Sequence, residues 1–308
     1  MNNYLTLLLG IVCAGIGGEL FLRGLAGVAR RARVSAGIIG ATVAAFATSS
    51  PELSVGISAA TAGKPQISFG DVLGSNVVNV GLILGLALLI SGIQASRDTV
   101  RRDFPVALLA PAVLGFLALD GLLSRLDGLL LLGMFLAWLA AVIAEARKQR
   151  GQNTVPLAKH GWVTIVLCVI GFALLVLGGH FVVSGAKSIA ISFGISAFVI
   201  GATVVAVGTS VPELAATVIS QLRGHQEVGL GTILGSNIFN SLAIGGLVAL
   251  ISPIAIDWRQ VLPALISGIA AVALTWPPRS GFIPRRRGVL LLVIYALYVV
   301  WLLRRGWN

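Results

Sequence analysis

The chain has 308 residues, 57% of them apolar and 11% charged, with a mean hydropathy of +0.98 and a formal net charge of +11. So much apolar side chain exceeds what one soluble core encloses, which excludes an ordinary water-soluble globule and makes the bilayer the solvent. The basic residues sit at the ends of apolar runs and in short connections and form no groove or stripe, so they read as membrane orientation signals and not as a nucleic-acid surface.

Crossing about 30 Å of hydrocarbon at 1.5 Å per residue takes about 20 residues of helix. Runs of that kind lie at 4–29, 35–62, 67–92, 104–123, 126–146, 161–186, 195–222, 228–252, 260–276 and 288–304. They predict an all-α integral membrane protein of about ten transmembrane helices. The runs are continuously apolar, whereas the strands of a membrane barrel alternate in segments of about ten residues. Residues 1–18 carry no basic leader and no clear cleavage site, so the first run reads as a retained helix. Cys13 and Cys168 lie in apolar runs without ligand spacing and read as packed side chains.

The second and third runs return later in the chain. Ala45-x-x-Thr48-Ser49-x-Pro51-Glu52 reappears as Ala206-x-x-Thr209-Ser210-x-Pro212-Glu213, and Leu73-Gly-Ser-Asn-x-x-Asn79 as Leu234-Gly-Ser-Asn-x-x-Asn240. At a fixed offset of 161, 29 of the 75 positions from 18 to 92 are identical to their counterparts. Each copy holds about five helices, an odd number, so the second enters the membrane from the opposite side and the repeats are inverted. The expected organisation is an N-terminal repeat at 1–146, a polar cytoplasmic linker at 147–160 and a C-terminal repeat at 161–308. Inverted repeats interrupted at matching points are the pattern of secondary transporters, with the site near the midplane.

Glu52 and Glu213 fall near the middle of their runs, where an unpaired charge costs about 2.5–3.5 kcal/mol on insertion scales. No Lys or Arg lies at similar depth in these runs, which points to a bound ion or proton as the compensating partner. Pro51 and Pro212 remove a backbone donor and free carbonyls one turn earlier. Thr48, Ser49, Thr209 and Ser210 add hydroxyl oxygens. Ser75 and Asn79 share one helical face, as do Ser236 and Asn240, and are expected to face the carboxylates. Asn76 and Asn237 divide evenly between the site and interhelical hydrogen bonding. The inventory is all oxygen, which suits hard cations such as Ca²⁺ and disfavours zinc and copper. Gly40, Gly74 and Gly235 read as points of close helix packing. Glu19 precedes Arg23 by four residues in the favourable order for an ion pair. Asp71, three after Ser68, reads as part of a helix N-terminal cap, and its counterpart is Thr232.

In these duplicated motifs the chain resembles prokaryotic members of the sodium/calcium exchanger family, within the calcium/cation antiporter superfamily. The resemblance covers both repeats, about half of the chain. It implies alternating access, with the first and sixth helices moving against a bundle that holds one Ca²⁺ site flanked by Na⁺ sites. It places ligands at the carbonyls of Ala45 and Ala206 and at the side chains of Thr48, Ser49, Glu52, Ser75, Asn79, Thr209, Ser210, Glu213, Ser236 and Asn240. Two departures stand out: well-characterised sodium-coupled members often carry Asp where Asn240 stands, and Ala47 replaces the usual Gly, present here at Gly208.

The expected function is a Ca²⁺ antiporter of the cytoplasmic membrane, not an enzyme and without a resident cofactor, whose transported ions are Ca²⁺ and Na⁺. Protons are the alternative counter-ion, since Glu52 and Glu213 would release Ca²⁺ on protonation. A cation channel is the rival from another class, and a hydrolase using Ser49 or Ser210 has no nearby base in sequence. Sixteen of the 22 Lys and Arg, among them Arg30, Arg31, Arg97, Arg101, Arg102, Arg147, Arg223 and Arg285 to Arg287, fall on one face. Lys64, Arg125, Lys187, Arg259, Arg304 and Arg305 fall on the other. This division puts the first face in the cytoplasm and both termini outside.

Overall fold

The structure is a computed structural model, and it describes residues 3–32, 34–150, 161–191 and 201–306. Among the described residues the helices form ten segments: α1 (Asn3–Ala32), α2 in two halves, α2a (Ala36–Thr48) and α2b (Ser50–Thr61), α3 (Pro65–Ile90), α4 (99–117), α5 (Arg125–Arg150), α6 (Gly161–Ile191), α7 in two halves, α7a (201–209) and α7b (Val211–Leu222), α8 (Gln226–Ile251), α9 (Trp258–Thr275) and α10 (Arg285–Gly306). This is an all-α membrane protein with the ten-helix plan expected from the apolar runs. Residues 151–160 of the expected linker and 195–200 of the expected seventh run lie outside the described residues. Residues 147–150, expected as linker, continue α5.

The fourth run was expected to stay helical to residue 123, but α4 ends at Leu117. A turn follows through Gly121, whose φ of +88° favours a residue without a Cβ. The chain then extends as β2 (Leu122–Leu123). Three more two-residue strands lie in connections: β1 (Ile93–Gln94) after α3, β3 (Ile254–Ala255) after α8 and β4 (Phe282–Ile283) before α10. β1 pairs antiparallel with β4, and β2 with β3.

These pairings fix the relation between the halves. The α3–α4 connection sits beside the α9–α10 connection, and the α4–α5 connection beside the α8–α9 connection. Within one half, successive connections lie on opposite membrane faces. The α3–α4 connection and its repeat counterpart, α8–α9, therefore face opposite ways, and the repeats are inverted. The same end gathers further contacts: the Gln221 amide donates to the Ser91 carbonyl at 2.8 Å, and Arg223 pairs with Glu19 at 2.7 Å. Glu19 also pairs with Arg23, as the spacing predicts.

The halves cross at glycines. A Cβ on Gly74 of α3 would lie 2.6 Å from the Ala202 carbonyl oxygen of α7a, and one on Gly235 of α8 would collide with the Ala41 carbonyl of α2a. Residues 41 and 202 are repeat counterparts, so one crossing is made twice. α1 and α6 run antiparallel through Gly17, Gly24, Gly27 and Gly171, each of which leaves no room for a Cβ against the partner helix. Around this pair Phe21, Leu22, Leu25 and Leu175 form an apolar cluster with Ile39, Ala44 and Val228, distinct from the main core of α3–α5 and α8–α10.

Overpacking a core position costs about 1–3 kcal/mol. Gly74→Val is therefore expected to lower the thermal midpoint of the detergent-purified protein, whereas Gly133→Ala, which meets open space, leaves it near the wild-type value. Equal midpoints would show that the crossing does not depend on backbone contact.

Candidate cation site

Both broken helices break at the same place. α2 bends by 43° between its halves, because Pro51 has no N–H for the preceding turn and its ring crowds that turn's carbonyl. Ser49, at φ −87° and ψ 11°, and Ser210, at φ −80° and ψ 5°, take up the two bends with nearly the same backbone. Glu52 and Glu213 each fall in the first turn of the helix that restarts there, where the helix dipole favours negative charge. The chain thus places two carboxylates at helix N-termini inside the protein.

Thr48, Ser49, Glu52, Ser75, Asn79, Ser210, Glu213, Ser236 and Asn240 are buried with at most 3% exposure, as is Thr209. They converge from both halves. The Ser49 hydroxyl donates to Glu213 Oε1 at 2.9 Å and the Ser236 hydroxyl donates to the same oxygen at 3.2 Å. Glu52 and Glu213 lie within electrostatic reach of each other. Among the described residues, neither Glu52 oxygen has a hydrogen-bond partner, nor have Glu213 Oε2, Ser210 Oγ, Asn79 Oδ1 or either amide atom of Asn240. Buried polar atoms are rarely left so, and a concentration of them marks a site that something else completes. The Ala45 and Ala206 carbonyls accept the amides of Ser49 and Ser210 at 3.0 and 3.1 Å. Thr48 Oγ1 donates to the Ala44 carbonyl at 3.0 Å.

Asn79 and Asn240 both lie in widened π-helical turns, Val78–Leu84 and Phe239–Ile244. Such turns recur at functional sites because one extra residue re-aims the side chains that follow. Asn76 and Asn237, left evenly divided by the sequence, join α3 to α8. The Asn76 amide donates to the Ser241 hydroxyl at 2.7 Å, the Asn79 amide to Asn237 Oδ1 at 3.0 Å, and the Asn237 amide to the Asn76 carbonyl at 3.2 Å.

Asp71 corrects the sequence reading. α3 begins at Pro65, so residue 71 is not at its cap, and Ser68 Oγ has no hydrogen-bond partner among the described residues. The Asp71 carboxylate is fully buried and accepts from Thr209 Oγ1 of the other half at 3.2 Å and from Ser75 Oγ at 3.4 Å. It too lies within electrostatic reach of Glu52 and Glu213. Its depth along an apolar run was the signal available in the sequence, and the spacing to Ser68 obscured it.

Inverted repeats interrupted at matching points around a buried, oxygen-lined acidic site define a secondary transporter. A family model described as sodium/calcium exchanger protein matches residues 2–144 and 163–304. The sodium/calcium exchanger MaX1 of Methanosarcina acetivorans is 30% identical over 97% of each chain, and the inner membrane protein YrbG of Escherichia coli is 35% identical over 88% of this chain and 86% of its own. A solved structure of the sodium-calcium exchanger NCX_Mj superposes with a TM-score of 0.82 at 30% identity, over 97% of this chain and 98% of that one. The chain belongs to the sodium/calcium exchanger family and is a multi-pass membrane antiporter.

Interhelical hydrogen bonds in membranes are worth about 0.6 kcal/mol on average, up to about 1.7. Asn237→Leu removes two of them between α3 and α8 and is expected to destabilise the protein by about 1–2 kcal/mol in reversible unfolding. A stability unchanged from wild type would return these asparagines to the ion site alone.

Proposed function

We propose that the chain exchanges Ca²⁺ for Na⁺ by alternating access, with both ions competing for Glu52 and Glu213. The observation that carries this reading is the pair of fully buried glutamates at equivalent places in inverted halves, three of whose four carboxylate oxygens have no hydrogen-bond partner among the described residues. Two carboxylates balance one Ca²⁺. Hydroxyl, amide and carbonyl oxygens from Thr48, Ser49, Ser75, Asn79, Ala45 and their counterparts supply the six to eight oxygen contacts that Ca²⁺ takes. The names of the solved and curated relatives that exchange sodium and calcium point the same way.

Movement would come from α1 and α6. They share their own apolar cluster, apart from the main core, and the strand pairs that stitch the other helices together do not include them. A cavity of about 810 Å³ between α2b and α6, lined by Ser50, Pro51, Val169 and Phe172, reaches Thr209. We assign the end of the bundle that holds the α2–α3 connection to the outside. The strand pairs gather Arg97, Arg101 and Arg102 with Arg279 and Arg285 to Arg287 at the opposite end, and basic connections face the cytoplasm.

The test is ⁴⁵Ca²⁺ uptake into proteoliposomes under opposed Na⁺ and pH gradients. Uptake is expected to follow the Na⁺ gradient; uptake that follows only the pH gradient makes the proton the counter-ion, and uptake indifferent to both rejects coupled exchange. Each glutamate supplies one of the two charges that balance Ca²⁺, and removing one partner of a buried charge pair weakens binding by about 2–5 kcal/mol, so Glu52→Gln and Glu213→Gln should each slow Na⁺-driven uptake by about 100-fold or more. Coupled Ca²⁺ movement retained in both variants would displace the site.

A further inference from the structure

Asp71 is a buried acid that the glutamate pair does not use. Its counterpart Thr232 donates back into its own helix, to the Val228 carbonyl at 2.8 Å, so the second half has nothing equivalent. Asp71 also redirects the first half. By repeat symmetry, Ser75 corresponds to Ser236 and should reach Glu52 as Ser236 reaches Glu213. Instead Ser75 Oγ turns to Asp71 Oδ1 at 3.4 Å and to Thr209 Oγ1 at 3.4 Å.

These contacts close a triangle. Asp71 Oδ1, Ser75 Oγ and Thr209 Oγ1 stand 3.2, 3.4 and 3.4 Å apart. An O–H···O hydrogen bond settles near 2.7–2.8 Å, so all three edges are long for one. A cation held at about 2.3–2.6 Å spaces neighbouring oxygens at about 3.3–3.7 Å along an octahedral edge. The two 3.4 Å edges fall within this range and the 3.2 Å edge just below it; Na⁺ has a radius close to that of Ca²⁺, whereas Mg²⁺ at about 2.0–2.1 Å would draw the oxygens to about 2.8–3.0 Å. One carboxylate and two neutral hydroxyls balance a single positive charge. Asp71 Oδ2, also buried, has no hydrogen-bond partner among the described residues and is a fourth oxygen of the cluster. No three His, Cys, Asp or Glu among the described residues are placed to hold one metal ion together, so these oxygens serve a position beside the glutamate site.

We propose that Asp71, Ser75 and Thr209 form a Na⁺ site next to the Glu52–Glu213 pair, with Asp71 supplying the third negative charge that the amide of Asn240 does not. The inference deepens the exchange reading and rests on it for the role of the glutamates. It assigns the third charge to a side chain two helical turns before Asn79, on α3, while α8 carries Thr232 at the matching place and the neutral amide of Asn240 two turns on.

Equilibrium binding of ²²Na⁺ to the purified full-length protein tests it apart from transport. Asp71→Thr installs the residue the second half already carries, and Thr209→Val keeps side-chain volume while removing the hydroxyl. Each is expected to weaken Na⁺ binding about tenfold or more, and adding Asn240→Asp to Asp71→Thr should recover most of the loss, because it restores a third buried carboxylate. Na⁺ affinity within about twofold of wild type in both single variants, or no Na⁺ binding by wild type, would overturn the site. If Asp71→Thr does not yield a monodisperse protein, Asp71→Asn, which keeps the side-chain shape and removes the charge, decides the question. Wild type that binds Na⁺ through Asp71 but drives no Ca²⁺ movement with it leaves this site standing and removes the exchange reading. Na⁺-driven Ca²⁺ exchange with unaltered ²²Na⁺ binding in both variants does the reverse.

Discussion

Glu52, Glu213 and Asp71 are held out of water, and the ion pairs at Glu19 and Asp103 do not include them. Removing a carboxylate from water carries a penalty of several kcal/mol even after relaxation. The chain offsets part of it with fixed dipoles: two helix N-termini, two hydroxyls on one Glu213 oxygen, and two more on one Asp71 oxygen. What remains of the cost is met by a proton or a cation from outside the protein. That residual cost ties the broken helices, the glycine crossings and the oxygen inventory to one purpose, since each brings polar groups to a place where lipid would otherwise exclude them.

The halves share a backbone but not a hydrogen-bond pattern. Glu213 is held by Ser49 from the first half and Ser236 from the second, while Glu52 has neither of the equivalent partners, because Ser210 Oγ makes no hydrogen bond among the described residues and Ser75 is engaged by Asp71. A repeat with a twofold backbone and a one-sided set of contacts has two arrangements related by exchange of the halves. Alternation between such arrangements is what transport from one face to the other needs.

The duplicated motifs disclosed the most. Pro51 and Pro212 announced the breaks, the odd helix count announced the inversion, and the depth of Glu52 and Glu213 announced two buried carboxylates. Other features left weaker traces. Asp71 is obscured in the sequence because its repeat counterpart is Thr232, so duplication does not mark it. Asn76 and Asn237 could not be assigned, since an asparagine 100° around a helix faces either the site or the neighbouring helix until the crossing is known. Two-residue strands are too short to show alternation, so β2 was merged with the apolar run of α4, although Gly121 marks the turn. The pairing of β1 with β4 over a separation of almost 190 residues has no local signature at all.

That pairing also bears on how such a chain arises. β1 with β4 and β2 with β3 are the same contact made twice under exchange of the halves. A lone five-helix ancestor would form both with a second copy of itself, provided that the two inserted in opposite orientations. Such an ancestor needs near-neutral loop charge so that half of its molecules insert each way. Joining two copies end to end removes the need for that balance, because an odd number of crossings turns the second copy over automatically. The loops are then free to accumulate arginine on one side, and single positions such as Asp71 and Thr232 are free to diverge, which no self-pairing homodimer permits.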